Sequence, residues 1–232
     1  MKRQGGLLVV PAAPALVNIQ YDSAYRNALV RSDLAIADSG AMVLLWQLFT
    51  GGRISRVSGL AYLKQLIALP EMHQPGAVSI VLPTEVARQK VLRWSQENDF
   101  AIRTADCYVA PRYADPIVDR DLLEMLSRKQ PKHVIIGLGG GAQERLGLYL
   151  RDNLSYHPAI HCIGAALGFL TGDQHPIPDW ADRLYLGWLV RLLRNPKLYA
   201  RRFSVAHELP GLICRYRENL PPLKQRRGRR PA

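Results

Sequence analysis

The stretch from His133 to Arg145 joins a buried strand, a glycine turn and the start of a helix. Val134, Ile135 and Ile136 form a β-branched run just after a Pro131-Lys132 break, the composition of a central parallel strand. Gly137, Gly139, Gly140 and Gly141 then let the backbone turn sharply and pass close to a ligand. Gln143 and Glu144 open a helix that continues through Leu146, Leu148 and Leu150. A helix start above a parallel strand is where an α/β protein binds phosphate. A plain strand-to-helix turn accounts for one or two glycines, not for four followed by Gln-Glu.

The rest of the chain alternates in the same way. Strands are predicted at Leu7–Val10, Asp33–Asp38, Val78–Leu82, Phe100–Ile102 and Ala159–Ile163. Helices are predicted over Ile19–Val30, Ala41–Phe49, Leu60–Leu69, Thr84–Asn98, Asp115–Lys129, Asp179–Leu193 and Pro196–Ala206. Thr84 is the N-cap of its helix, Gly51-Gly52 stops another, and Pro70 ends a third. Such alternation means a doubly wound, mostly parallel α/β sheet.

Charge divides the chain. Of its 31 Lys and Arg, twelve lie from Arg191 onward against only Glu208 and Glu218, so this end carries +10 of the net +12. The partner of such a segment is an anionic surface. Leu198, Tyr199, Phe203, Leu212 and Ile213 are interleaved with the arginines, which suits a membrane surface better than nucleic acid. No window reaches the ~18 apolar residues of a spanning helix, and Leu7–Val10 is too short for a signal-peptide core. Cys107, Cys162 and Cys214 lie far apart, which argues for a reducing compartment and against a disulfide scaffold or zinc. A cytoplasmic, soluble or peripheral protein is expected.

The chemical candidates are few. The glycines satisfy G-x-G-x-x-A, but the next strand lacks the ribose-binding acid of a dinucleotide site, and the lysine of a P-loop is missing. Neither a metal nor a cofactor is expected, since the histidines have no ligand spacing. His161, inside an apolar strand, reads as a satisfied core residue. Asp38 ends a strand ahead of Ser39-Gly40 and a helix. It is a general-base candidate at the ligand-binding edge of the sheet, or else the N-cap of the following helix. Spacing alone leaves both open.

Four segments resemble the WecG/TagA/CpsF family of bacterial glycosyltransferases (glycosyltransferase family 26). Gly137 to Glu144 resembles its GlGxPxQE motif, and Ile163 to Gly172 its VGgaFDflaG motif. Leu186 to Pro196 resembles LEWlyRLlqEP, and Ser32 to Gly40 resembles sADlvlpDG. The resemblance runs from about Asp22 to about Phe203. It implies a Rossmann-like, GT-E-like core over residues 1–193, a basic helical appendage over 194–223 and a disordered arginine tail over 224–232.

Members of this family transfer a hexose or N-acetylhexosamine from a UDP-sugar to a polyprenyl-diphosphate-linked sugar, inverting the anomeric carbon without a required metal. The resemblance implies that Asp38 is the general base. It assigns the nucleotide-sugar to Tyr108, Gly137, Gly139, Gly140, Gly141, Gln143, Glu144 and Gly164. It assigns the acceptor's lipid diphosphate to Arg191, Arg194, Arg201 and Arg202, on the inner face of the cytoplasmic membrane during exopolysaccharide or surface-glycan assembly. A homo-oligomer is compatible with it. The chain departs from the family pattern at Val10 and Ala12 (for Thr-x-Asn), Gly141 (for Pro), Gly168 (for Asp) and Gly187 (for Glu). These losses keep open a catalytically inactive member that binds a lipid or a partner of glycan assembly.

Overall fold

The computed structural model describes residues 5–172, 178, 180, 181, 187–194, 196 and 206–225. Six strands form one parallel sheet: β1 (Gly6–Val9), β2 (Leu34–Ala35), β3 (Val78–Leu82), β4 (Cys107–Val109), β5 (His133–Ile136) and β6 (Ala159–Cys162). Their spatial order is β2-β1-β6-β5-β3-β4.

Side-chain alternation along the strands builds two cores. Leu7 and Val9 of β1 join Val134, Ile136 and Ile160 on one face, beneath α2 (Ser23–Val30), α6 (Arg120–Lys129) and α7 (Ala142–Asn153). Leu8 and Val10 join Val78, Ile80 and Ile135 on the other, beneath α4 (Gly59–Ile67), α5 (Glu85–Glu97) and α8 (Ala166–Leu170). Both faces are covered, which is why the central strands are apolar throughout. A third cluster packs Ala13 of α1 (Ala13–Leu16) and Val17 against Leu209 and Ile213 of α10 (Leu209–Tyr216). Met42, Leu45, Trp46 and Phe49 of α3 (Gly40–Thr50) close around it. The helix α9 (Gly187–Arg194) also lies against α3.

Several expectations shift. No strand forms at Phe100–Ile102: Phe100 is buried edge-on to His73 and tilted on Trp94, a core plug between helix and strand. The edge strand comes later, at Cys107–Val109. The helix expected from Asp115 starts at Arg120, because Asp119 is its N-cap and accepts from the Leu122 amide. The strand expected over Asp33–Asp38 is two residues long, at an exposed sheet edge. Asp22 caps a fresh helix at Ser23, so the run expected over Ile19–Val30 is broken in two. Much of the helices expected over Asp179–Leu193 and Pro196–Ala206, and the arginine tail from Arg226, fall outside the described residues.

His161 is a satisfied core residue. Its Nδ1 lies 2.7 Å from the Tyr62 hydroxyl and its Nε2 3.2 Å from His133 Nδ1.

Candidate active site

All six strands run the same way, so their C-terminal ends share one edge of the sheet. The chain leaves β1 outward to β2, while β6 lies on its other side; in open parallel sheets such a reversal is where the ligand crevice lies, here between the β1 and β6 loops. The loops that meet there begin at Val10, Gly137 and Ile163.

The glycine turn is tied to both neighbours. Gly137 donates to Val81 O at 2.9 Å. Gly140 lies so close to α1 that a Cβ on it would come within 3.2 Å of the Ala15 Cβ. Gly141 has φ +93°, a conformation that favours glycine. A Cβ on Gly139 would meet nothing within 4 Å, so this residue borders open space.

Glu144 holds the turn from beneath. It is fully buried, and its carboxylate accepts from Gly141 N at 2.6 Å and from Gln143 Nε2 at 3.0 Å. Burial pushes its pKa up, against the pull of these bonds. The carboxylate therefore shapes the turn from inside. Gln143 is 2% exposed, and its Oε1 has no hydrogen-bond partner within the protein. The same amide lies 3.4 Å from where Gly164 would carry a Cβ, and Gly164 has φ +55°. Two glycine-dependent backbone positions and one buried amide with an unpartnered oxygen thus converge between the β5 and β6 loops.

Asp38 sits at the same edge, three residues beyond β2. It is not the N-cap of α3: Ser39 is, accepting from Met42 N at 3.3 Å. Asp38 Oδ1 instead accepts from Gly59 N at 2.8 Å, at the first residue of α4, while Arg56 Nε holds the Asp38 backbone oxygen at 2.7 Å. Among the described residues Oδ2 has no partner. Gly59 also touches the β1 and β6 ends: a Cβ there would meet Val10 Cγ1 at 3.3 Å and Ala166 Cβ at 3.7 Å. The Gly164–Ala166 turn therefore contacts both the Asp38 support and the Gln143 amide.

Tyr108 is level with Ile136, two strand spacings away. Its hydroxyl donates to Asp119 Oδ1 at 2.9 Å, and Tyr113 donates to Asp119 Oδ2 at 2.7 Å. Burial, reinforced by the bond to Asp119, pushes both phenols above the usual tyrosine range. Arg145, one turn into α7, donates to Gly141 O at 3.1 Å and has only long ion pairs, to Asp115 at 3.5 Å and Asp22 at 3.9 Å. Arg194 ends α9 at the surface. Arg201 and Arg202, and the side chain of Arg191, lie outside the described residues.

Sequence reasoning missed Asp119, Arg56 and Gly59. Ser58-Gly59 is visible as a helix start, but no local pattern reports that its amide reaches Asp38, 21 residues earlier. Two surface cavities lie elsewhere. One of about 240 Å³ is at the opposite edge of the sheet, around Gly5, Asp33 and His157. One of about 220 Å³ lies between α2 and α7. The candidate site rests instead on the polar groups that converge at the C-terminal edge of the sheet.

The family model described as "Glycosyl transferase WecG/TagA/CpsF family" matches residues 1–226. The N-acetylglucosaminyldiphosphoundecaprenol N-acetyl-beta-D-mannosaminyltransferase of Bacillus subtilis (strain 168) is 26% identical over 188 residues, covering 79% of this chain and 70% of that protein.

Proposed function

The chain belongs to the WecG/TagA/CpsF family of glycosyltransferases, and from that premise we propose an inverting transfer at the β1/β6 crevice with Asp38 as its base. The donor is a UDP-sugar. The acceptor is a sugar on a polyprenyl diphosphate. The name of the Bacillus relative specifies N-acetylmannosamine transferred to diphosphoundecaprenol-linked N-acetylglucosamine, and we assign the same substrate class here.

Chemistry then divides between the two sides of the crevice. Asp38 Oδ2 takes the proton of the acceptor hydroxyl while Oδ1 stays fixed on Gly59 N. The acceptor oxygen bonds to the anomeric carbon as the carbon–oxygen bond to the diphosphate breaks, and UDP departs. The developing charge on the diphosphate falls at the Gly137–Gly141 turn and the positive end of α7. Gly139 gives the open approach, Gln143 and Gly164 bind the nucleotide-sugar, Gly140 and Glu144 fix the turn, and Tyr108 walls the β4 side. Arg191, Arg194, Arg201 and Arg202 neutralise the acceptor diphosphate, with residues 194–223 acting at the membrane surface beside a core of residues 1–193. The enzyme works peripherally on the inner face of the cytoplasmic membrane.

One observation carries this reading: a carboxylate with an available oxygen shares the Gly164–Ala166 turn with a buried amide whose oxygen has no partner. UDP release from UDP-N-acetylhexosamines, with a short-chain polyprenyl-diphosphate N-acetylglucosamine, tests it. Asp38→Asn is expected to lower kcat by about 10²–10⁴-fold with donor KM little changed. Equal UDP release by wild type and Asp38→Asn, or none by either, removes the assignment.

A further inference from the structure

The helix that starts right after Asp38 is unlike the others. The segment Gly40–Thr50 contains no charged residue; Gln47 is its one large polar side chain, beside Met42, Val43, Leu44, Leu45, Trp46, Leu48 and Phe49. A helix that is apolar on nearly every side belongs in a core or in lipid. This one is in neither: Val43 is buried, but Leu44 is 40% exposed and Leu48, one turn on, is 75% exposed. Those two form an outward stripe, since residues four apart share a helix face. The flank that carries Met42, Leu45, Trp46 and Phe49 is turned to α10. On neighbouring α9, Leu193 is 74% exposed.

Cationic side chains stand on the same part of the molecule. Arg53 follows the helix and is exposed, and α10, packed on α3, carries exposed Arg215 and, just beyond it, Arg217, against one exposed acid there, Glu218. An exposed apolar stripe with arginines just past its own helix and on the neighbouring one matches the acyl–headgroup boundary of an anionic bilayer. Among the described residues no helix is long and apolar enough to cross a membrane, so the contact is in the plane of the interface.

We propose that Gly40–Thr50 is a membrane-docking helix whose Leu44–Leu48 face enters the outer acyl region of an anionic leaflet. Its eleven residues span about 16 Å. Because Ser39 caps it, docking sets Asp38 at a fixed depth beside the headgroups, where a lipid-linked sugar is presented. The inference rests on the proposed lipid-linked acceptor, yet it assigns the docking to α3 and not to the arginine tail alone.

The test needs no sugar nucleotide, so it stands or falls apart from the catalytic assignment. The full chain is sedimented with vesicles of phosphatidylglycerol and phosphatidylcholine in equal parts. Leu48→Glu is expected to weaken binding about tenfold or more. Val86→Glu, at an exposed apolar position on α5, is expected to bind as wild type, and Leu48→Trp to bind at least as well. Circular dichroism confirms that each variant is folded. Wild type failing to bind the vesicles, or Leu48→Glu binding as wild type does, overturns the proposal. So does a concentration-dependent dimer of the wild type that Leu48→Glu abolishes, which would show that a second copy covers the stripe.

Discussion

At the scale of single residues, a file of four side chains away from the Gly137–Gly141 turn links two buried histidines to two half-buried partners. Tyr62, His161 and His133 are linked by bonds of 2.7 and 3.2 Å, and Glu71 Oε1 lies 3.7 Å from His133 Nε2. One proton order serves all of them: Tyr62 O–H to His161 Nδ1, His161 Nε2–H to His133 Nδ1, and His133 Nε2–H toward Glu71. It requires both histidines neutral. Burial first, then the neighbouring His133, pushes His161 down to about 3, and burial also lowers His133. Between about 3 and 6.5 the unfolded chain therefore binds more protons at His161 than the folded one, and His133 acts in the same sense. Their contribution to stability is complete above the ordinary histidine value and drains away as pH falls, at up to ~1.4 kcal/mol per pH unit for each. Buried Glu144, whose pKa is raised, works in the opposite sense and is present in every variant compared. Urea unfolding from about pH 7 down to about pH 5 should show a steeper loss for wild type than for His161→Gln. Parallel profiles would mean that His161 titrates as it does in the unfolded chain.

At the scale of elements, the glycine turn makes a prediction that separates fold from ligand. Gly141 has φ +93°, so Gly141→Ala strains the backbone and should cost about 1–3 kcal/mol in thermal unfolding. Gly139 has open space around its missing side chain. Gly139→Ala should leave stability within about 0.5 kcal/mol and raise the donor KM, because its methyl enters the space left for the nucleotide-sugar. An unchanged donor KM for Gly139→Ala would take the donor away from this turn. The turn was legible in the sequence because strand, glycines and Gln-Glu are contiguous. So were Val78–Leu82 and the helix capped by Thr84, where local chemistry marks both ends. The edge strand Cys107–Val109 was not, since three residues are too few to show an alternation, and Phe100 drew the strand to itself. Asp38 was visible as a candidate. Its anchor was not, because a carboxylate held by the amide of a distant helix leaves no periodicity to read.

At the scale of the whole molecule, the cationic end of the chain has two parts with different physics. Its described part, residues 206–225, is fastened to the beginning of the chain. Glu208 accepts from Gln20 Nε2 at 2.6 Å and from Tyr21 O–H at 2.9 Å, Lys224 N donates to Gln20 O at 2.8 Å, and Arg26 Nη1 donates to Pro221 O at 2.6 Å. Leu209 and Ile213 are buried with Ala13 and Val17. Removing this part strips an apolar cluster and several bonds, so deletion from Glu208 onward should lower stability by several kcal/mol. Residues 226–232 add four arginines and no large apolar side chain. Deleting only these should leave the thermal midpoint unchanged. At low salt each arginine near an anionic surface contributes about 1 kcal/mol, so vesicle affinity should drop on the order of a hundredfold or more. That loss should shrink as salt is raised, because the attraction is screened over a Debye length of about 10 Å at 0.1 M. Salt screens the repulsion of the carboxylate that Leu48→Glu adds, but the part of its defect due to lost apolar burial should persist, since that burial is not screened. A vesicle titration across salt with both variants therefore resolves docking into an apolar helix and an electrostatic tail. If the two defects rise and fall together with salt, the arginines alone hold the protein to the lipid.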